Sequence, residues 1–175
     1  MTTTPFVAET AGELRYAAAP TEFGDFTIVA DDAAVVAIHY PHDRPDGSWG
    51  TPVDLADHPI LRDAADQLAQ FLAGERRDFD LPLRPSGTDF QQQAWAALLE
   101  IPYGQTRSYR EQAEVIGRPT AVRAVGAANG HNPIPVVIPC HRVIGSGGSL
   151  TGYAGGTELK ARLLDLETGQ ATVFG

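Results

Sequence analysis

Cysteine and lysine each occur once in these 175 residues, as Cys140 and Lys160. A single cysteine excludes an intramolecular disulfide and any multi-cysteine metal site, and it fits a reducing compartment. No apolar run approaches the length of a membrane span. The opening Met1-Thr2-Thr3-Thr4-Pro5 lacks a basic stretch followed by an apolar one. No export signal is therefore expected, and the expected location is cytoplasmic with no membrane partner. His39, His42 and His58 follow no familiar ligand spacing, so neither metal nor cofactor is expected. Basic residues are also scarce: 13 Lys+Arg face 22 Asp+Glu, a net charge of −9, which argues at first against nucleic acid. The distribution changes that. Residues 1–85 hold 6 Arg against 15 acidic residues, whereas residues 86–175 balance at 7 and 7. Between 105 and 142, Arg107, Arg110, Arg118, Arg123 and Arg142 oppose only Glu111 and Glu114. This modest basic patch surrounds Cys140 and is the kind of local field to which a phosphate backbone responds.

A chain of this length can build one large or two small domains. Residues 13–17, 25–31 and 34–40 read as short strands, the last two joined by a turn at Asp31-Asp32-Ala33. Residues 41–58 are rich in Pro, Asp, Gly and His and read as a loop, in which Trp49 caps a local cluster. A helix opens at Pro59, with Ile60, Ala64, Leu68 and Leu72 at intervals of four, and stops at Gly74. Phe79 to Leu83 reads as extended. Pro85-Ser86-Gly87 marks a boundary. The expectation is an α/β (α+β) protein. A small N-terminal sheet-plus-helix domain (1–85) in a supporting role precedes a mostly helical C-terminal domain (86–175) that contains a helix-turn-helix.

That second half is punctuated by two capping boxes, Thr88 with Gln91 and Ser108 with Glu111. The first opens a helix with apolar stripes Phe90-Ala94-Leu98 and Trp95-Leu99. The second opens a short helix ending at Gly117. Pro119 suits the first turn of the next helix, which runs from Thr120 to Ala128 and ends at Asn129-Gly130. Helix, tight turn with Gly, helix is a helix-turn-helix pattern. Ala121, Ala124, Gly126, Ala127 and Ala128 make its second helix smooth, with Arg123 as the only charge. Such a face suits a groove in DNA. A last helix runs from about Thr157 to Leu166.

Between these helices lies Asn132-Pro133-Ile134-Pro135-Val136-Val137-Ile138-Pro139-Cys140-His141-Arg142-Val143. Three prolines exclude a regular helix and push their predecessors towards extended backbone. The segment therefore reads as a stiff, extended arm, with Val136-Val137-Ile138 plugged into a core and the thiol at its end. Burial alone makes a thiol inert, whereas a neighbouring imidazole can activate it. Cys140 and His141 need a turn or a bridging water to communicate, because adjacent residues of an extended chain face opposite ways. Glu167 lies near the buried face of the last helix, where a carboxylate needs a cationic partner, and His141 is a candidate. Glycines on both sides of Tyr153 suggest a loop folded closely around something.

These residues resemble the O6-alkylguanine-DNA alkyltransferases. The resemblance is carried by Ile101-Pro102-Tyr103-Gly104 with Ser108-Tyr109, Arg123-Ala124-Val125-Gly126, Asn132-Pro133, Pro139-Cys140-His141-Arg142-Val143, Tyr153 with Gly155-Gly156, and Leu163-Leu164 to Glu167. It runs in order from about Thr88 to Glu167 and is looser in the N-terminal half, where the Pro-x-Gly turn appears only as Pro20-Thr21-Glu22-Phe23-Gly24. The resemblance implies direct, single-turnover transfer of an alkyl group from O6-alkylguanine, and O4-alkylthymine, in double-stranded DNA to Cys140. His141 would take the thiol proton through a water and Glu167 would orient His141. Asn132 would tie the helix-turn-helix to the cysteine arm. Arg123 would fill the gap left by the flipped base, with Ala121, Ala124, Gly126 and Ala127 along the minor groove. Tyr109 would hydrogen-bond the flipped guanine. Tyr153 would close the pocket, Lys160 would help position its loop, and backbone groups at Cys140, Val143 and Ala154 would read the guanine edge. A monomer is expected, with cooperative assembly on DNA left open.

Three other readings remain. A non-catalytic sensor of alkylated DNA would lack a cysteine at position 140. A cysteine hydrolase using Cys140, His141 and Glu167 would leave the smooth helix without a role. A helix-turn-helix regulator with a redox cysteine would need a dimerisation segment, and none is visible.

Overall fold

The computed structural model describes residues 5–150 and 152–169. They form two compact units, one spanning Pro5–Ser86 and the other beginning at Gly87. The architecture is an N-terminal sheet-plus-helix unit followed by a mostly helical one.

The N-terminal unit is built on strands β1 (Arg15–Thr21), β2 (Gly24–Ala30), β3 (Val35–His39) and β4 (Thr51–Pro52), ordered β3-β2-β1-β4. β1–β2 and β2–β3 are antiparallel, and the short β4 adds in parallel to β1. β1 lies further along the chain than the expected 13–17, because the tight turn at Thr21–Gly24 extends its pairing: Gly24 takes φ +105° and Thr21 Oγ1 donates to its carbonyl at 2.6 Å. The turn at Asp31 is held as expected, with that carboxylate accepting from the amides of Ala33 and Ala34 at 2.8 and 3.0 Å. β4 falls inside the stretch expected as a loop. There Trp49 is buried, stacked on His39 with ring centroids 3.9 Å apart.

Helix α1 (Pro59–Leu72) packs on β1 and β2 through Leu61, Ala64, Ala65, Leu68, Phe71 and Leu72. Their three-and-four spacing makes one apolar face, and the strands it packs on bury Ala17, Ala19, Phe26 and Ile28. Pro59 begins the helix, and His58 Nδ1 accepts from the Leu61 amide at 3.2 Å.

In the C-terminal unit both capping boxes form. Thr88 caps α2 (Asp89–Leu98) and Ser108 caps α3 (Tyr109–Val115), each with the reciprocal bond from Gln91 or Glu111. On α2 the buried residues are Ala94, Trp95, Ala97 and Leu98. Leu99, expected on an apolar stripe, is the C-cap and is exposed. α4 (Val122–Gly130) begins two residues later than expected: Pro119 and Thr120 lie outside it and Ala121 is its N-cap. α3 and α4 pack together, and both pack on α2. A buried polar node joins the three: Gln112 and Asn129 exchange hydrogen bonds at 2.9 and 2.7 Å, and Gln112 also donates to the Ala94 carbonyl at 3.1 Å. Trp95 Nε1 donates to the Ala128 carbonyl at 2.8 Å. The short strands β5 (Arg107–Ser108) and β6 (Val143–Ile144) pair in parallel. α5 (Thr157–Thr168) runs past the expected Leu166 to a left-handed cap at Gly169.

Candidate active site

The arm that carries the thiol is buried from Ile134 through Val143, as its apolar content requires. It is not extended, however. Ile138 N donates to Ile134 O at 2.9 Å and Val137 N to Pro135 O at 2.9 Å, which closes a turn between Pro135 and Ile138. Val136 stands at its corner with φ +71°, a conformation that costs a β-branched residue on the order of 1–3 kcal/mol. Proline excluded the helix, but it did not exclude a turn between prolines. Asn132 bridges this loop from inside: its amide donates to the Ile138 carbonyl at 2.8 Å, and its Oδ1 accepts from Ile134 N at 3.0 Å.

Cys140, His141 and Arg142 then form one turn of 3-10 helix, the local turn that neighbouring side chains need in order to serve one site. Cys140 is 6% exposed and His141 is fully buried. Burial pushes the Cys140 thiol up to about 11, against hydrogen bonding from Asn132 and the positive charge of Lys160, which favour the thiolate. Lys160, in the first turns of α5, is only 1% exposed, and burial holds its ammonium below the usual lysine range while Cys140 pulls the other way. Its Nζ lies 5.9 Å from the Tyr109 ring centroid.

Glu167, in the last turn of α5, pairs with His141 through Oε2 and with Arg142 through Oε1, the latter at 2.8 Å. The Gly104 amide also donates to Oε1, at 3.0 Å. Burial would raise this carboxyl, but the hydrogen bonds and charges of His141 and Arg142 prevail and bring it to about 2. Burial pushes His141 below the ordinary imidazole range more than Glu167 raises it. The resting pair is therefore an ionised Glu167 beside a neutral imidazole. A carboxylate only accepts, so His141 Nε2 carries the proton and Nδ1 keeps the lone pair.

The remaining residues divide into two groups. Tyr109 is near the site: its ring would lie 3.8 Å from a Cβ on Gly126, and its hydroxyl 3.8 Å from one on Gly152. It is thus flanked by α4 and by the glycine before Tyr153. Tyr153 is half-buried, Ala154 exposed and Val143 buried. The second group is the outer face of α4, where Arg123, Ala124 and Ala127 are exposed, Ala121 and Gly126 are half-buried, and Val125, Ala128 and Asn129 turn inward. Of the five arginines of the basic patch, Arg110, Arg118 and Arg123 are exposed, Arg107 is half-buried and Arg142 is buried. The patch is thus smaller than the sequence suggests, because Arg142 is spent on Glu167. Sequence reasoning missed Gly104 and Arg142 as partners of that carboxylate. No local pattern marks them: Gly104 and Glu167 lie 63 residues apart. Among the described residues no cluster of His, Cys, Asp or Glu could hold a metal ion, and no helix is long and apolar enough to cross a membrane.

Residues 89–169 match the family described as 6-O-methylguanine DNA methyltransferase, DNA binding domain, and residues 14–85 match its ribonuclease-like domain. A methylated-DNA–protein-cysteine methyltransferase of Mycobacterium bovis is 60% identical over 108 residues, 62% of this chain and 66% of that protein, so the match spans just under two thirds of that relative. One from Methanosarcina acetivorans is 43% identical over 88% of this chain and 98% of its own length. The crystal structure of Mycobacterium tuberculosis OGT in complex with DNA superposes with a TM-score of 0.81 at 45% identity, covering 91% of this chain and 96% of that one. With both halves matched in order, and a relative aligned over nearly its whole length, the chain belongs to the O6-alkylguanine-DNA alkyltransferase, or methylated-DNA–protein-cysteine methyltransferase, family.

Proposed function

We propose that this chain repairs DNA by direct transfer of a methyl group from O6-alkylguanine to Cys140. The observation that carries the proposal is a buried thiol on the same 3-10 turn as an imidazole fixed by a buried carboxylate, in a member of this family. His141 Nδ1 takes the thiol proton, directly or through one water, and Sγ attacks the alkyl carbon in line. The S–C bond forms as the C–O6 bond breaks, and the electron pair leaves on the guanine, which is protonated as it departs. This is the logic of an activated nucleophile with base and orienter. The product is a thioether, which water does not cleave as it cleaves an acyl thioester. Each chain therefore acts once.

Double-stranded DNA is the partner. The DNA-bound Mycobacterium tuberculosis relative supports this, and so does the exposed small-residue face of α4 with Arg123. The target base leaves the stack to reach the buried sulfur. Arg123 occupies the gap while Ala121, Ala124, Gly126 and Ala127 follow the minor groove. Tyr109 donates to the flipped guanine, and Asn132 couples the helix pair to the cysteine turn. Tyr153, Val143, Ala154 and Lys160 line the pocket. The units split near residue 86 into a supporting N-terminal domain and a DNA-binding, alkyl-accepting one, and the protein works as a cytoplasmic monomer.

Intact-protein mass spectrometry after incubation with a duplex carrying one O6-methylguanine tests this. One methyl per chain on the Cys140 peptide, with no further turnover, is expected, and Cys140→Ser should bind the duplex without accepting it. DNA binding with no change in mass would instead make the chain a sensor.

A further inference from the structure

Arg142 belongs by sequence to the basic patch, yet its guanidinium is turned inward. Nη1 donates to the Ile101 carbonyl at 2.7 Å, Nε donates to Glu167 Oε1 at 2.8 Å, and the group lies 5.7 Å from the Tyr103 ring centroid. The same carboxylate oxygen accepts the Gly104 amide. With one oxygen held twice, the other is committed to His141 Nε2. His141 Nδ1 is buried and has no hydrogen-bond partner among the described residues. A carboxylate without this hold could rotate, and it would draw the ring towards an imidazolium, which has no lone pair to offer as a base.

We propose that Arg142 is a positioning residue for the transfer to Cys140: with the Gly104 amide it clamps Glu167, so that His141 presents an unprotonated Nδ1 to the thiol proton. The proposal rests on Cys140 being the acceptor. Arg142 acts through Glu167 and does not itself touch the reacting atoms. The charges facing His141 agree with this role. They are Glu167 and Lys160 from α5 and Arg142 beside it in the chain. α2 also packs on the Cys140–Arg142 turn, and its sole ionisable residue, Asp89, is exposed at its first position. Burial, Arg142 and Lys160 hold the imidazole neutral against the pull of Glu167. Removing the guanidinium leaves Glu167 unopposed, so the imidazolium should persist to higher pH.

The test is the pH dependence of single-turnover alkylation by free O6-benzylguanine, with an imidazole nitrogen NMR titration of His141 alongside. It uses the full chain and its Arg142→Met and Arg142→Lys variants. Arg142→Met should move the ascending limb and the His141 titration upward by about one pH unit, and Arg142→Lys, which keeps the charge, should bring both back towards wild type. A uniform loss of rate at every pH, with the limb and titration unmoved, would make Arg142 merely structural and overturn the proposal. If Arg142→Met does not fold, the wild-type spectrum decides: Nε2 protonated and Nδ1 bare at neutral pH is expected, and any other form at that pH overturns it. The titration needs no alkyl transfer. A wild-type chain that fails to react would therefore sink the functional reading, while a shifted His141 titration would still identify the hold of Arg142.

Discussion

Three donors converge on the Glu167 carboxylate: the Gly104 amide, the Arg142 guanidinium and His141 Nε2. Truncating it to Ala leaves a buried arginine without its counter-charge, which typically costs about 3–5 kcal/mol. Glu167→Gln keeps the shape and one acceptor and should lose less. Urea unfolding of the two variants checks the order, and equal losses would mean that the missing counter-charge, common to both, sets the cost, with no help from the retained shape and acceptor. The pairing of Glu167 with His141 was legible in the sequence, because a carboxylate near the buried face of a helix demands a partner. Arg142 was not. Its charge reads equally well as surface charge, and only burial tells the two apart. Val136 is a similar case: nothing in Pro135-Val136-Val137 signals a left-handed corner.

Helices start where side chains satisfy their open amides, and this chain shows both the rule and its limit. Thr88 and Ser108 cap α2 and α3 through short-range bonds, so Thr88→Ala and Ser108→Ala should each cost about 1 kcal/mol, read as a lowered denaturation midpoint. α4 has no side-chain cap at Ala121, and its start shifted from the one its proline suggests. Its small residues were legible as a smooth helix, and the structure turns Arg123, Ala124 and Ala127 outward while Val125 and Ala128 pack. Arg123→Ala should therefore slow transfer from duplex DNA at least tenfold, the effect of about 1.4 kcal/mol, while leaving reaction with free O6-benzylguanine nearly unchanged. Single-turnover rates on the two substrates decide. Equal losses would remove Arg123 from base flipping.

The acidic excess of the whole chain lies in its first 85 residues, and one of those carboxylates is a buried anchor. Asp31 accepts from the amides of Ala11, Ala33 and Ala34 and pairs with Arg84. Burial would raise it, but Arg84 and these amides bring it to about 2. The folded value lies below the ordinary one of about 3.9. Its contribution is therefore complete above pH ~4 and lost as the pH falls towards ~2, and it amounts to about 2–3 kcal/mol. Asp31→Asn should flatten that part of the acid limb in denaturation experiments, and an unchanged limb would show that other carboxylates dominate it.

Most of the strand and helix identity and both capping boxes were written within a few residues of one another, where alternation, spacing and turn residues act directly. The order β3-β2-β1-β4, the extra strand at Thr51, the turn inside the proline arm and the inward course of Arg142 depend on groups far apart in the chain. Side-chain burial and hydrogen bonding over such separations follow from packing. Only the folded chain could therefore decide that one arginine of the basic patch serves a carboxylate instead of a phosphate.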